Sequence, residues 1–196
     1  MGNFIRRLSS SQIILLGFGL AILLGCLLLM LPFATVDGQG APFADALFTA
    51  TSAVCVTGLV VHDTATYWSL FGKLVRITLI QIGGMGVVTV AVAITMAYGK
   101  KISLMQRITM QDAISAPAVG GIVRLTRFIL KGTFLVELIG ALALLPAFCR
   151  DYGLRGVWMA IFHSVSAFCN AGFDILGRAG ALYPSLTAYI SDPLVT

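Results

Sequence analysis

Two short stretches of this sequence hold the residue types from which a chemical site could be built. Ala46-Leu-Phe-Thr-Ala-Thr-Ser-Ala-Val-Cys-Val-Thr-Gly-Leu59 aligns with Ala160-Ile-Phe-His-Ser-Val-Ser-Ala-Phe-Cys-Asn-Ala-Gly-Phe173 at a constant offset of 114. Ala46/Ala160, Phe48/Phe162, Ser52/Ser166, Ala53/Ala167, Cys55/Cys169 and Gly58/Gly172 are identical, six of 14 positions. The alternative is coincidence between two apolar helices, but the matches include cysteine and glycine as well as alanine. Neither stretch has many side chains that coordinate an ion by charge. What both offer is backbone: carbonyl oxygens that replace the hydration shell of a cation. Gly58 permits angles closed to other residues and a close approach of neighbouring copies. Enzyme chemistry is poorly served. There is no GxSxG, HExxH, Walker motif or GxGxxG after a strand, and Cys169 with His163 is a weak basis for nucleophilic attack. Cys26, Cys55, Cys149 and Cys169 form no CxxC pair, which argues against zinc. We therefore expect no enzyme activity and no cofactor in this chain.

The elements that must carry these stretches are set by composition. Of 196 residues, 58% are hydrophobic and 11% charged, with a mean hydropathy of +0.96. Soluble domains carry about 25% charged residues. A soluble fold of this size has too little polar surface to cover such a chain. This excludes a typical cytosolic enzyme, a disordered tail and a nucleic-acid-binding module, so no nucleic-acid partner is expected. Leu8 to Val36 is free of charge over 29 residues. It is longer than a signal-peptide core and lacks a clear cleavage site, so it reads as a retained spanning helix over about Gln12–Ala34. Ile77–Gly99, 23 uncharged residues, reads as a second span, and Phe128–Cys149, which includes Glu137, as a third. Ala46–Val61 and Val157–Phe173 are too short to cross and read as re-entrant segments. A helix of about 12 residues, Phe43 to Cys55, rises roughly 18 Å, about half the bilayer core. Its carboxyl end would lie at Cys55-Val56-Thr57-Gly58 and favour a cation there. Non-helical backbone at that depth is tolerated only inside protein or beside water.

Charge placement gives an orientation. Arg6, Arg7, Lys100, Lys101, Arg107, Arg124, Arg127 and Lys131 fall on one side with Asp112 as the only acid. By the positive-inside rule the N-terminus and the 99–131 connection are cytoplasmic. The other side carries Asp37, Asp45, Asp63, Asp151, Asp174 and Asp192 against Lys73, Arg76, Arg150, Arg155 and Arg178.

The run from Thr49 to Thr64, followed by Leu79-Ile-Gln-Ile-Gly-Gly-Met-Gly86, closely resembles the first repeat of the membrane subunit of the Trk/Ktr/HKT potassium transporter superfamily, nearest its bacterial Ktr/Trk type. Phe168-Cys-Asn-Ala-Gly-Phe173 resembles the filter of the second repeat. The resemblance covers essentially the whole chain. It implies an all-α integral membrane fold of M1–P–M2 potassium-channel-like repeats with re-entrant pore helices. Residues 1–98 would be the first repeat, 99–119 a cytoplasmic connection, and 120–196 a second repeat with its M1 and pore loop but without its M2. The family folds four repeats around one pore with a filter glycine in each, so the chain is expected to be an N-terminal portion or fragment. The implied ion contacts are backbone carbonyls of Val56, Thr57, Gly58, Asn170, Ala171 and Gly172, supported by Cys55, Leu59, Cys169 and Phe173. Glycine rather than serine at residue 58 implies potassium, with sodium coupling left open. The resemblance further implies a bacterial inner-membrane, multi-pass potassium uptake subunit, a homodimer when full-length, bathed in membrane lipid and controlled by a cytosolic ring of nucleotide-binding (RCK-type) subunits. The alternative is a truncated, non-conducting scaffold that assembles with full-length or regulatory subunits.

Several residues outside the filters have two readings. Glu137 either attracts cations or makes a structural contact, with Arg124, Arg127 or Lys131 as candidate partners. Those three cations, spaced three and four apart, snorkel to headgroups or meet a cytosolic partner. Ser103–Ser115 is loosely amphipathic and would lie at the interface or dock the ring. Asp63 either concentrates cations at the mouth or caps a loop. His163 reads as packed and hydrogen-bonded. Gly83, Gly84 and Gly86 read as sites of close helix approach, with a hinge as the alternative, and Gln81 as a cross-helix hydrogen-bonding group.

Overall fold

The computed structural model of the chain describes residues 9–98, 102–114, 121–192 and 195. Arg6, Arg7, Lys100 and Lys101, on which half of the orientation argument rests, lie outside them. The protein is an all-α membrane protein with re-entrant helices. Helix α1 is Ser10–Leu29, begun by a capping box in which Ser9 and Gln12 each bond the other's backbone N–H. Its 20 residues rise about 30 Å, one bilayer core. Leu15, Leu16, Leu20, Leu23, Leu24 and Leu27 on it are exposed, as a lipid-facing surface requires. A 3-10 turn at Pro32–Ala34 ends the crossing.

Helix α2, Phe43–Val54, is the short helix expected from the sequence. Ala46, Ala50, Ala53 and Thr49 are buried along it, so small side chains let it sit inside the protein between its neighbours. Helix α3, Leu70–Met85, is capped by Ser69, whose hydroxyl accepts from Gly72 N–H. The sequence reading of one continuous span over Ile77–Gly99 is corrected here. The chain breaks at Gly86, φ +82°, and helix α4, Val87–Ala97, leaves at 100° to α3. Gly86 is therefore the point of the bend, and the first helix of the pair begins earlier, at Leu70. Helix α5, Leu104–Ala113, opens with a second capping box, Ser103 and Gln106. Helix α6, Ile122–Tyr152, runs 31 residues with Pro146 inside it, and Gly153-Leu154 reverse the chain into helix α7, Arg155–Phe168. Helices α1 and α6 are each long and apolar enough to cross a membrane, and α3 with α4 makes a third crossing if the bent pair is one span.

The main core gathers around the two short helices: Cys26 and Leu29 of α1, Val54, Ile80, Phe148 and Phe162 are all buried there. Thus the long helices turn their outer faces to lipid and use their inner faces to grip α2 and α7.

Candidate functional site

Both short helices stop at the same point of the repeated sequence and are followed by non-helical chain. Helix α2 is capped by Cys55 and α7 by Cys169, residues that align at the 114 offset. The hydrogen bonds that turn the chain out of each helix recur at that offset. Cys55 N–H donates to Thr51 O at 2.8 Å and Cys169 N–H to Val165 O at 3.0 Å. Val56 N–H donates to Ala53 O at 3.3 Å and Asn170 N–H to Ala167 O at 2.9 Å. Thr57 N–H donates to Ser52 O at 3.0 Å and Ala171 N–H to Ser166 O at 2.7 Å. Each serine then reaches across its loop: Ser52 Oγ donates to Leu59 O and Ser166 Oγ to Phe173 O, both at 2.7 Å. The two serines, identical in the sequence repeat, are thus the struts that hold each five-residue return.

The backbone between strut and carbonyl is unusual. Val56 and Asn170 sit at φ +56° and +57°, Gly58 and Gly172 at +72° and +71°. A β-branched valine in the left-handed region is strained and persists only where its surroundings over-determine it. Regular extended chain turns successive peptide carbonyls to opposite sides, and left-handed angles at every second residue rotate alternate peptide planes out of that pattern. The two returns also touch. A Cβ on Gly58 would lie 2.5 Å from the Ala171 carbonyl oxygen and 3.4 Å from Gly172 Cα. The close approach of neighbouring copies expected at Gly58 is present. The structure therefore brings Val56, Thr57 and Gly58 beside Asn170, Ala171 and Gly172. Of the flanking residues, Phe173 is buried, Cys169 is half-buried, and Cys55 and Leu59 are exposed.

Helix α3 supports both returns. A Cβ on Gly83 would run into the Val54 carbonyl and one on Gly84 into Cys169 Sγ, so these two glycines do serve close approach. Gln81 Nε2 donates to Glu137 Oε1 at 2.7 Å. Glu137 is buried, and its partner is Gln81 rather than Arg124, Arg127 or Lys131, which are exposed on α6. Ser164 Oγ donates to the Glu137 carbonyl at 2.6 Å, tying α7 to α6.

Beyond their glycines, the two returns are anchored differently. Asp63 is only 5% exposed and is a loop cap. Its Oδ1 accepts from Ala65 N–H, Thr66 N–H and Thr66 Oγ1, and its Oδ2 accepts from Tyr183 N–H at 2.9 Å. Burial works against the Asp63 carboxylate, but the N–H groups of Tyr183, Thr66 and Ala65 and the Thr66 hydroxyl together hold its pKa below the ordinary value. His62 Nε2 meets Asp45 Oδ2 at 2.7 Å and its ring stacks on Tyr67 at 3.9 Å. His163 is packed and hydrogen-bonded as expected. Its Nδ1 donates to Met159 O at 2.7 Å, which leaves Nε2 to accept from Ile175 N–H at 3.4 Å. That second contact fastens the chain just beyond the second return, a role the sequence did not signal. Arg76, counted by charge among the residues of the non-cytoplasmic side, is wholly buried in α3.

Comparison with known proteins agrees with this architecture. A family profile described as "Cation transport protein" (TrkH) matches residues 9–188. The chain is 45% identical over 173 residues to the potassium/sodium uptake protein NtpJ of Enterococcus hirae, covering 88% of this chain and 38% of that protein. It is 42% identical to the Ktr system potassium uptake protein B of Bacillus subtilis, over 96% of this chain and 41% of that protein. The Vibrio alginolyticus protein of the same name is 37% identical over 94% of this chain and 39% of its own length. The chain spans about two fifths of the length of these relatives. Chemistry, crossings and kinship converge: the chain belongs to the TrkH family of cation transport proteins.

Proposed function

We propose that the two returns are adjacent quarters of a potassium-selective filter, and that the complete gene product takes up potassium across a bacterial inner membrane. The observation that carries this reading is the recurrence, at an offset of 114, of one hydrogen-bond scheme that ends two short helices on two touching, left-handed stretches of backbone. Carbonyls of Val56, Thr57 and Gly58, with Asn170, Ala171 and Gly172, take the place of an ion's water, while Cys55, Leu59, Cys169 and Phe173 support them. The carboxyl ends of α2 and α7 add two partial negative charges where the dehydrated ion pauses. The ion is cargo, and weak multi-site binding lets it leave.

In this reading residues 1–98 form one M1–P–M2 unit, 99–119 a cytoplasmic connection, and 120–196 the M1 and pore segment of the next. The exposed cations Arg107, Arg124 and Arg127 support a cytoplasmic side for that connection and the N-terminus, and they suit a cytosolic nucleotide-binding (RCK-type) ring. A homodimer of the complete subunit follows the same family pattern. The test is potassium uptake by transport-deficient cells carrying the complete gene product. Gly58→Ser is expected to lower both uptake and the preference for potassium over sodium. Unchanged values in both would show that residue 58 is not in a filter. Capture of a regulatory ring with no ion flux in liposomes would favour a non-conducting scaffold.

A further inference from the structure

Arg76 is the charged side chain with no exposure at all among the described residues, and its surroundings are unusual for a cation. Its guanidinium carbon lies 4.4 Å from the centroid of the Phe173 ring and 5.7 Å from that of Trp68. Two of its donors, Nε and Nη1, are buried with no acceptor among the described residues, as is Trp68 Nε1. The carboxylates that act on it through space are Asp174, next to Phe173, and Asp63, which also accepts from Tyr183 N–H. A cation buried this way costs stability, and an apolar side chain of the same length would fill the space with less penalty. Its presence there therefore points to a task other than holding the fold.

The geometry indicates that task. Phe173 directly follows Gly172, and its carbonyl accepts from Ser166 Oγ. Its ring is 2% exposed and lies against a guanidinium supplied by the preceding unit's α3. A planar guanidinium stacks on a ring in a fixed orientation, which a flexible ammonium does not reproduce. We propose that Arg76 is a positioning residue for ion selection: through the Phe173 ring it fixes the mouth-side end of the second return, so that the spacing of the carbonyls at 170–172 is set by a residue of the first unit.

This rests on the filter reading above, and the experiment separates the two. In the complete gene product, Arg76→Lys, Arg76→Met, Phe173→Leu and Gly58→Ser are compared for membrane abundance, half-saturating potassium and the ratio of potassium to sodium uptake. Loss of a desolvated ring contact predicts about a tenfold fall in the potassium-to-sodium ratio for both Arg76→Lys and Phe173→Leu, normalised to abundance. The double variant should be no worse than either single one, because both remove the same contact. If Arg76→Lys kept the wild-type ratio while Gly58→Ser lost it, the filter would stand and the positioning role would fall. If Gly58→Ser also left the ratio intact, the filter reading itself would fail. A purely structural Arg76 would lower abundance and leave the ratio of the remaining protein unchanged, which overturns the proposal. Should Arg76→Lys not reach the membrane, Arg76→Met decides in its place, since it fills the site without a buried charge: a fall in the ratio like that of Phe173→Leu is expected, and a wild-type ratio overturns the positioning role.

Discussion

Around residue 58 the backbone of the first return is pressed against a neighbour; around residue 172 the second return is not. Both glycines adopt the same left-handed angle, +72° and +71°. Yet a Cβ on Gly58 would fall 2.5 Å from the Ala171 carbonyl oxygen, whereas one on Gly172 meets nothing nearer than Gly58 Cα at 3.8 Å. The flanking residues reverse this asymmetry: Phe173 is buried against Arg76, while its counterpart Leu59 is 59% exposed. Two copies of one motif are therefore held by different means, the first at its glycine and the second at the aromatic beyond it.

The largest effect that separates the two should come from alanine at each glycine. The strain of a left-handed alanine, roughly 1–2 kcal/mol, is common to both and cancels in the comparison. What remains is the clash, which at residue 58 involves a backbone oxygen that can move only by displacing the second return. Gly58→Ala is expected to abolish potassium uptake at normal membrane abundance, and Gly172→Ala to leave a measurable fraction. Equal losses would show that conformation alone, and not the contact between the returns, makes glycine necessary.

The serine struts should give the next effect, in the opposite order. Ser52 and Ser166 make equal 2.7 Å bonds to the carbonyls of Leu59 and Phe173. Removing the hydroxyl strands a carbonyl. At exposed Leu59 water replaces the lost donor, while at buried Phe173 it does not. Ser166→Ala should therefore cost about 1–3 kcal/mol of stability, and Ser52→Ala less than about 1 kcal/mol. Thermal unfolding of the complete gene product in detergent checks this, and the reverse order would show that the exposure of these carbonyls is misjudged.

How much of this was legible beforehand depends on how local the cause is. The first short helix was readable to within a residue, because Pro42 and the Val-Thr-Gly segment bracket an apolar run too short to cross. The recurrence at 114 was readable because it is a property of the sequence itself. The break at Gly86 was not, since the run 77–99 contains neither charge nor proline, and hydropathy treats a bent pair as one span. The glycines at 83, 84 and 86 look alike in sequence, but only the contacts of α3 separate two packing glycines from the one at the bend. The burial of Arg76 is not legible for a tertiary reason: charge counts assign an arginine to a side, and its burial depends on Trp68 and on Phe173 from a distant segment. For Glu137 a structural contact is legible, but the candidate partners in view are cations of its own helix. Its partner, Gln81, is neutral and comes from α3.

The most local effect concerns the link between the two loops beyond the returns. Asp63 Oδ1 serves its own loop, whereas Oδ2 accepts from Tyr183 N–H in the loop beyond the second return. Asp63→Asn keeps the shape, but if Oδ1 continues to accept from residues 65 and 66, the amide nitrogen faces the Tyr183 N–H, donor against donor. The expected cost is about 1–3 kcal/mol, felt mainly where the loops meet. The sign of the pH dependence follows from the lowered pKa. The carboxylate's contribution is complete above its unfolded value, near 3.8, and is lost as pH falls through the lower folded value. Wild type should therefore lose stability below about pH 4 by a step that Asp63→Asn lacks, the two curves converging in acid. Unfolding followed from pH 7 to pH 3 measures the step. Tyr183→Pro, which removes the N–H of a residue at φ +54°, is unsuitable as a control because proline cannot adopt that angle. The informative control is Thr66→Val, which removes the hydroxyl donor to Oδ1 and leaves the cross-loop bond to Oδ2 in place. It should shrink the acid step only in part, and a step abolished by Thr66→Val would place the whole effect inside the first loop and leave the two loops independent.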